Sequence, residues 1–145
     1  MLAGAAVAYK TRFQDAISLS STEAEFVAAS DAGKIGLYLR SVLQDLHVDQ
    51  NLPTLLYEDN MGAFKMATAG QPTKNTRHIA IRHFALLDWV ERDYLTLEYI
   101  STVFNAADMF TKANGRIAFH RHNDVILGKL PPQFSTRLTI TPPIP

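Results

Sequence analysis

Segments of helical period and segments of strand period alternate along this chain, and that alternation constrains its fold more than any other feature. The clearest strand is residues 54–58, a leucine-rich run that Pro53 introduces and Asp59-Asn60 closes. Before it, apolar residues recur at Phe26, Ala29, Gly33, Leu37, Leu43 and Leu46, the spacing of an amphipathic helix ending near His47. Ser20, Ser21 or Thr22 can cap that helix, and Thr22 with Glu25 fits a capping box. After the strand, a short helix over residues 61–69 is stopped by Gly70-Gln71-Pro72-Thr73. A second long helix, capped by Thr76, runs to about Arg92, and Asp93 turns the chain into an alternating strand at residues 95–100. Asn105 caps a helix through Thr111, and residues 116–127 form another with Gly128 as its stop. Residues 5–9 and 16–19 read as two further short strands around a polar connection. The order predicts the α/β class.

A length of 145 residues fits about one domain, and a hydrophobic content of 47% supplies a real core. Fourteen basic and 14 acidic residues balance to a net charge of zero, which argues against a protein that coats nucleic acid. The absence of cysteine excludes disulfides, thiolate metal sites and a cysteine nucleophile. Residues 1–8 are small and apolar without a positive flank, so they read as strand and not as a signal peptide. No apolar run approaches the ~20 residues of a membrane span. Five of the seven prolines fall in residues 131–145, and residues 129–145 read as an extended, disordered tail.

Three acids stand at element ends. Asp59 follows a buried strand and precedes a helix, the edge of an open α/β sheet where ligands bind. An acid at that place also serves as a helix N-cap. Glu23 and Asp108 lie in the first turns of their helices, where a carboxylate also complements the helix dipole. If Glu25 fills the capping box, Glu23 is left to face whatever the helix start faces. Carboxylates delivered from separate elements suit hard divalent ions such as magnesium, and paired ions suit phosphodiester hydrolysis. The five histidines have no zinc-site spacing: His78 and His83 are five apart, and His120 and His122 flank Arg121 as solvated side chains. Lys74, Arg77, Arg82 and His83 form one basic cluster, and Arg116, His120, Arg121 and His122 form another; either can contact phosphates or simply face solvent.

The runs S-S-T-E-A-E-F-V-A-A-S-D-A-G-K, Y-E-D-N-M-G-A-F, T-R-H-I-A-I-R-H-F and A-A-D-M-F-T-K, in that order, closely resemble the ribonuclease H domain of copia-type retrotransposon polyproteins. The resemblance covers about residues 3–128, so residues 1–128 are assigned to one ribonuclease H-like domain, a mixed sheet flanked by helices. It implies magnesium-dependent cleavage, with manganese as a substitute, of the RNA strand of RNA–DNA hybrids. Carried over by motif, the catalytic and metal-binding acids are Glu23, Asp59 and Asp108, and Lys74, Arg77, His78 and Arg82 are hybrid contacts. The implied partners are the hybrid and an upstream reverse transcriptase region of the parent polyprotein, in an intracellular setting, cytoplasmic or nuclear, with no membrane. The family's first strand carries a further aspartate, in a pattern like S-D-A-D-W, with no counterpart before Ala3, and Asp15 lies in the wrong element to replace it. The expectation is therefore a fold lacking its usual first, central strand, with weak or lost hydrolysis. The alternative is a non-catalytic nucleic-acid or protein interaction domain, or a relic without function.

Overall fold

A computed structural model describes residues 5–11, 20–68 and 80–130. The chain divides into two compact units, one of Ile17–Tyr99 with Leu138–Pro145, the other of Met1–Ala16 with Ile100–Arg137. The larger unit runs α1 (Ser21–Asp45), β1 (Thr54–Glu58), α2 (Met61–Thr68), α3 (Ala80–Glu91) and β2 (Leu95–Tyr99). Among the described residues its sheet is the parallel pair β1–β2, in register from Thr54 opposite Leu95 to Glu58 opposite Tyr99. Two parallel strands need a crossover, and α2 with α3 provides it. The result is an α/β unit in which Phe26, Val27, Ala63, Ala67, Leu86 and Leu95 form the buried cluster. Leu56, Met66, Trp89, Val90 and Leu97 pack against it.

The strand at residues 54–58 has its expected bounds, and the helix expected over 61–69 is present through its described residues, Met61–Thr68. Of the three caps expected for α1, Ser20 is the one used, and the capping box expected at Thr22 and Glu25 does not start the helix. Ser20 is the N-cap, with extended backbone, and its Oγ accepts the N–H of Glu23 at 3.2 Å. The chain contains two overlapping S/T-x-x-E patterns, Ser20/Glu23 and Thr22/Glu25, and the helix starts on the earlier one.

Three helices end in the same way. His47 N–H donates to the Gln44 carbonyl and Val48 N–H to the Leu43 carbonyl. Asp93 to Val90 with Tyr94 to Trp89 repeats the pair after α3. Gly128 to Val125 with Lys129 to Asp124 repeats it after α4 (Arg116–Ile126). These are Schellman motifs, whose pivot residue is left-handed. The pivots are His47 (φ 58°), Asp93 (φ 57°) and Gly128 (φ 72°). Beyond His47 the loop to β1 is fixed by Arg40, which donates to the carbonyls of Gln50 and Leu52 and to Thr54 Oγ1.

In the smaller unit, the helix predicted from Asn105 forms as a 3₁₀-helix, Ala106–Phe110, preceded by a 3₁₀ turn at Thr102–Phe104. Asn105 caps it as predicted, with its side chain accepting from Ala107 N–H. The strand expected at residues 5–9 does not form: Ala5 makes a single bridge and residues 6–11 are exposed without regular structure. Ala6 N–H instead donates to the Ile126 carbonyl at the end of α4, and Tyr9 stacks on Phe110. A run of small side chains offers little area to bury, so it lacks the packing that holds a strand. The strand expected at 16–19, the cap at Thr76 and the tail at 131–145 lie outside the described residues.

Candidate metal centre

Glu25, Glu58 and Asp59 bring carboxylate oxygens within 4.8 Å of one another. Each position has a local cause. Glu25 projects from the first turns of α1, whose start Ser20 fixes. Glu58 is the last residue of β1 and is buried. Leu56 and Glu58 are two apart and share a strand face. Asp59 then leaves the strand, and Asn60 begins α2. The Asn60 side chain accepts the N–H groups of Gly62 and Ala63, at 2.9 and 3.1 Å. Asn60, not Asp59, is therefore the cap of α2, and the capping alternative for Asp59 does not hold. Asn60 also donates its own N–H to Glu58 Oε1 at 2.9 Å, tying the cap to the cluster.

The electrostatics match the crowding. Burial raises the Glu58 carboxyl from its ordinary value of 4.5 to about 7. The Asn60 N–H works against the rise, and the charges of Glu25 and Asp59 add to it. The oxygens of an octahedral magnesium site, with ligands at 2.0–2.1 Å, stand about 3 to 4 Å apart. A cluster spanning 4.8 Å closes on such an ion by small side-chain movements. The donor set is all oxygen and anionic, so these residues fit a hard divalent cation.

Of the three acids singled out in the sequence, Asp59 lies in this cluster. Glu23 does not: it is buried at the third helical position of α1, beside the cap. Asp108 lies in the smaller unit, where it is buried, and its Oδ1 accepts from Lys112 Nζ at 2.8 Å. Sequence reasoning passed over Glu25 by assigning it to the capping box, and it passed over Glu58 entirely. The available signal for Glu58 was an acid on the inward face of a leucine-rich strand, which burial without a partner makes costly.

Among the basic residues, Arg82 is committed to Asp31 of α1 at 2.8 Å, a link that pins the start of α3 to α1. Lys74, Arg77 and His78 lie outside the described residues. In the smaller unit Arg121 donates to the Val103 carbonyl and lies over the Phe104 ring, 5.3 Å from its centroid. His120 is exposed, whereas His122 is buried, contrary to the solvated reading of both. Burial holds the His122 pKa below the usual histidine value, Arg121 adds to that shift, and Asp108 opposes it. No helix among the described residues is long and apolar enough to cross a membrane.

The retrovirus-related Pol polyprotein from transposon TNT 1-94 of Nicotiana tabacum is 31% identical over 123 residues, or 85% of this chain. The chain is homologous to a segment of retroelement Pol polyproteins. Those from transposons RE2 and RE1 of Arabidopsis thaliana are each 27% identical over 127 residues, 87% of the chain. The chain spans 9% of the length of each of these Pol homologues. No family model matches the chain, and no solved structure matches it.

Proposed function

We propose that this chain is a ribonuclease H-like domain derived from a retroelement Pol polyprotein, and that it hydrolyses the RNA strand of RNA–DNA hybrids with magnesium. The observation that carries this reading is the convergence of the Glu25, Glu58 and Asp59 carboxylates. The Pol homology and the motif resemblance support it. Glu25 and Asp59 are the ligands offered by α1 and by the end of β1, and Glu58, the buried member of the cluster, has an ionisation that a bound cation favours. A bound magnesium ion, or manganese in its place, supplies Lewis acidity for water activation and leaving-oxygen stabilisation. The chain's own contribution is to hold the acids at fixed spacing and to yield the Glu58 proton when the site is loaded, since metal ligands must be deprotonated. Asp108 is the further acid assigned by the resemblance.

The test is cleavage of a labelled RNA–DNA hybrid in magnesium or manganese, by this chain and by a longer polyprotein segment containing it. Asp59→Asn and Glu25→Gln are expected to abolish cleavage, and Asp108→Asn to impair it severely. Glu23→Gln is expected to retain activity, because Glu23 stands at the cap and not in the cluster. Equal loss in Glu23→Gln and Glu25→Gln variants that remain folded would count against this assignment of the acids. If both lengths are folded, bind hybrid and do not cut it, the interaction-domain alternative replaces the enzyme.

A further inference from the structure

Gly62 is the second residue of α2, a position where alanine is the better helix former. Yet a β-carbon placed on it would stand 3.0 Å from both Thr22 Cγ2 and Thr22 Oγ1, and 3.1 Å from Asn60 Oδ1. Contacts of 3.0–3.1 Å are tighter than ordinary van der Waals contact, so the neighbours would have to give by a few tenths of an ångström. Thr22 lies in the first turn of α1, three residues before Glu25, and residues three apart share a helix face. Asn60 is bonded to Glu58 through its N–H. The space a side chain at residue 62 would need is thus bounded by Thr22, on the helix face of Glu25, and by Asn60, which is bonded to Glu58.

We propose that Gly62 is a positioning residue for the carboxylate cluster: it lets the start of α2 abut the first turn of α1, and so sets Glu25 against Glu58 and Asp59. The inference rests on the reading of that cluster as a metal centre.

The geometry excludes an easy escape by side-chain rotation. Threonine carries heavy atoms on two of the three staggered positions at its β-carbon. Both of those atoms face Gly62 at equal distance, so any other rotamer still leaves one of the two facing positions filled. With threonine at residue 22, rotation does not relieve the contact, so the few tenths of an ångström that a β-carbon at residue 62 needs must come from a small shift between α1 and α2. Serine has one heavy atom to place and can turn it to the third position. Valine has two, and it cannot.

The experiment is Mn2+ titration, followed by water-proton relaxation, of the wild-type chain, Gly62→Ala, and Gly62→Ala combined with Thr22→Ser or Thr22→Val. Thermal unfolding is measured in parallel. Gly62→Ala is expected to weaken Mn2+ binding by about tenfold or more, the scale on which supports behind metal ligands act. Thr22→Ser is expected to recover part of the affinity in the Gly62→Ala background, since the Asn60 contact remains, and Thr22→Val is expected to recover none. A purely structural role for Gly62 would move the unfolding midpoint without this serine-valine split. If Gly62→Ala does not fold alone, the two double variants still carry the comparison, since the serine form is expected to bind more tightly than the valine form. Wild-type affinity in Gly62→Ala, or equal behaviour of the serine and valine forms, overturns the positioning role while leaving the metal centre standing. Absence of Mn2+ binding by the folded wild-type chain overturns the metal reading itself, and the inference with it.

Discussion

Glu58 holds the most unusual charge state among the described residues for which a shift is resolved. Its carboxyl, raised to about 7 by burial, binds a proton in the folded chain across a pH range where the unfolded chain has lost it. The native state therefore carries the extra proton between about pH 4.5 and 7, and stability falls as pH rises through that window. A shift of this size corresponds to about 3 kcal/mol once the group is ionised. Glu58→Gln keeps an acceptor for the Asn60 N–H but has no charge to bury. Urea unfolding should show this variant more stable than the wild type at pH 8 and nearly equal to it at pH 5. Magnesium should raise the wild-type midpoint at pH 8 far more than at pH 5, because binding requires the ionised form. At Ser20 the expectation is simpler. Ser20→Ala removes the acceptor of the Glu23 N–H and should cost about 1 kcal/mol. Ser21→Ala, one residue further on and exposed, should stay within about 0.5 kcal/mol of wild type by the same measurement.

At the scale of elements, the helix ends hold reserves. His47 and Asp93 occupy left-handed backbone where a β-carbon is disfavoured, while the equivalent pivot after α4 is glycine. Asp tolerates that region better than His does, since its short side chain bonds locally. His47→Gly should therefore stabilise the chain by up to about 1 kcal/mol in denaturant titrations, and Asp93→Gly by less. The opposite holds inside α1 at Gly33. A β-carbon there would stand 3.0 Å from the Trp89 ring and 3.1 Å from Leu95 Cδ1, so α1, α3 and β2 meet at that point. The helix predicted from apolar spacing is present, but the closeness of its neighbours is what fixes glycine at this turn. The bounds of β1, and the stop at Gly128, were legible because Pro53, Asp59-Asn60 and Gly128 punctuate the chain locally.

For the whole molecule, burial is unevenly shared. Eight of the ten buried hydrophobic residues among those described, from Phe26 to Leu95, belong to the larger unit, whereas Ile100 and Val125 belong to the smaller. Leu86 is fully buried, and Leu86→Ala should cost about 2–5 kcal/mol. Amide exchange should be slowest in α1, α3 and the β1–β2 pair, and faster in Thr102–Phe104 and Ala106–Phe110, where local opening exposes little apolar surface. Uniform protection across both units would contradict this division.

The sequence by itself determined the succession of helices and strands from α1 to β2, the apolar stripe of α1 and the placing of Asp59 at the end of a strand. These follow from periodicity and from residues that act on their own neighbours. It could not decide which of two overlapping capping patterns starts α1, because Ser20/Glu23 and Thr22/Glu25 satisfy the same local rule. Two residues of phase on a helix turn a side chain by about 200°. Glu23 and Glu25 therefore point to different faces of α1, and it is Glu25 that lies with Glu58 and Asp59. Only the tertiary structure settled it, since the energy of the alternative lies in which face of α1 meets β1, α2 and α3, and packing between distant segments leaves no local mark on the chain.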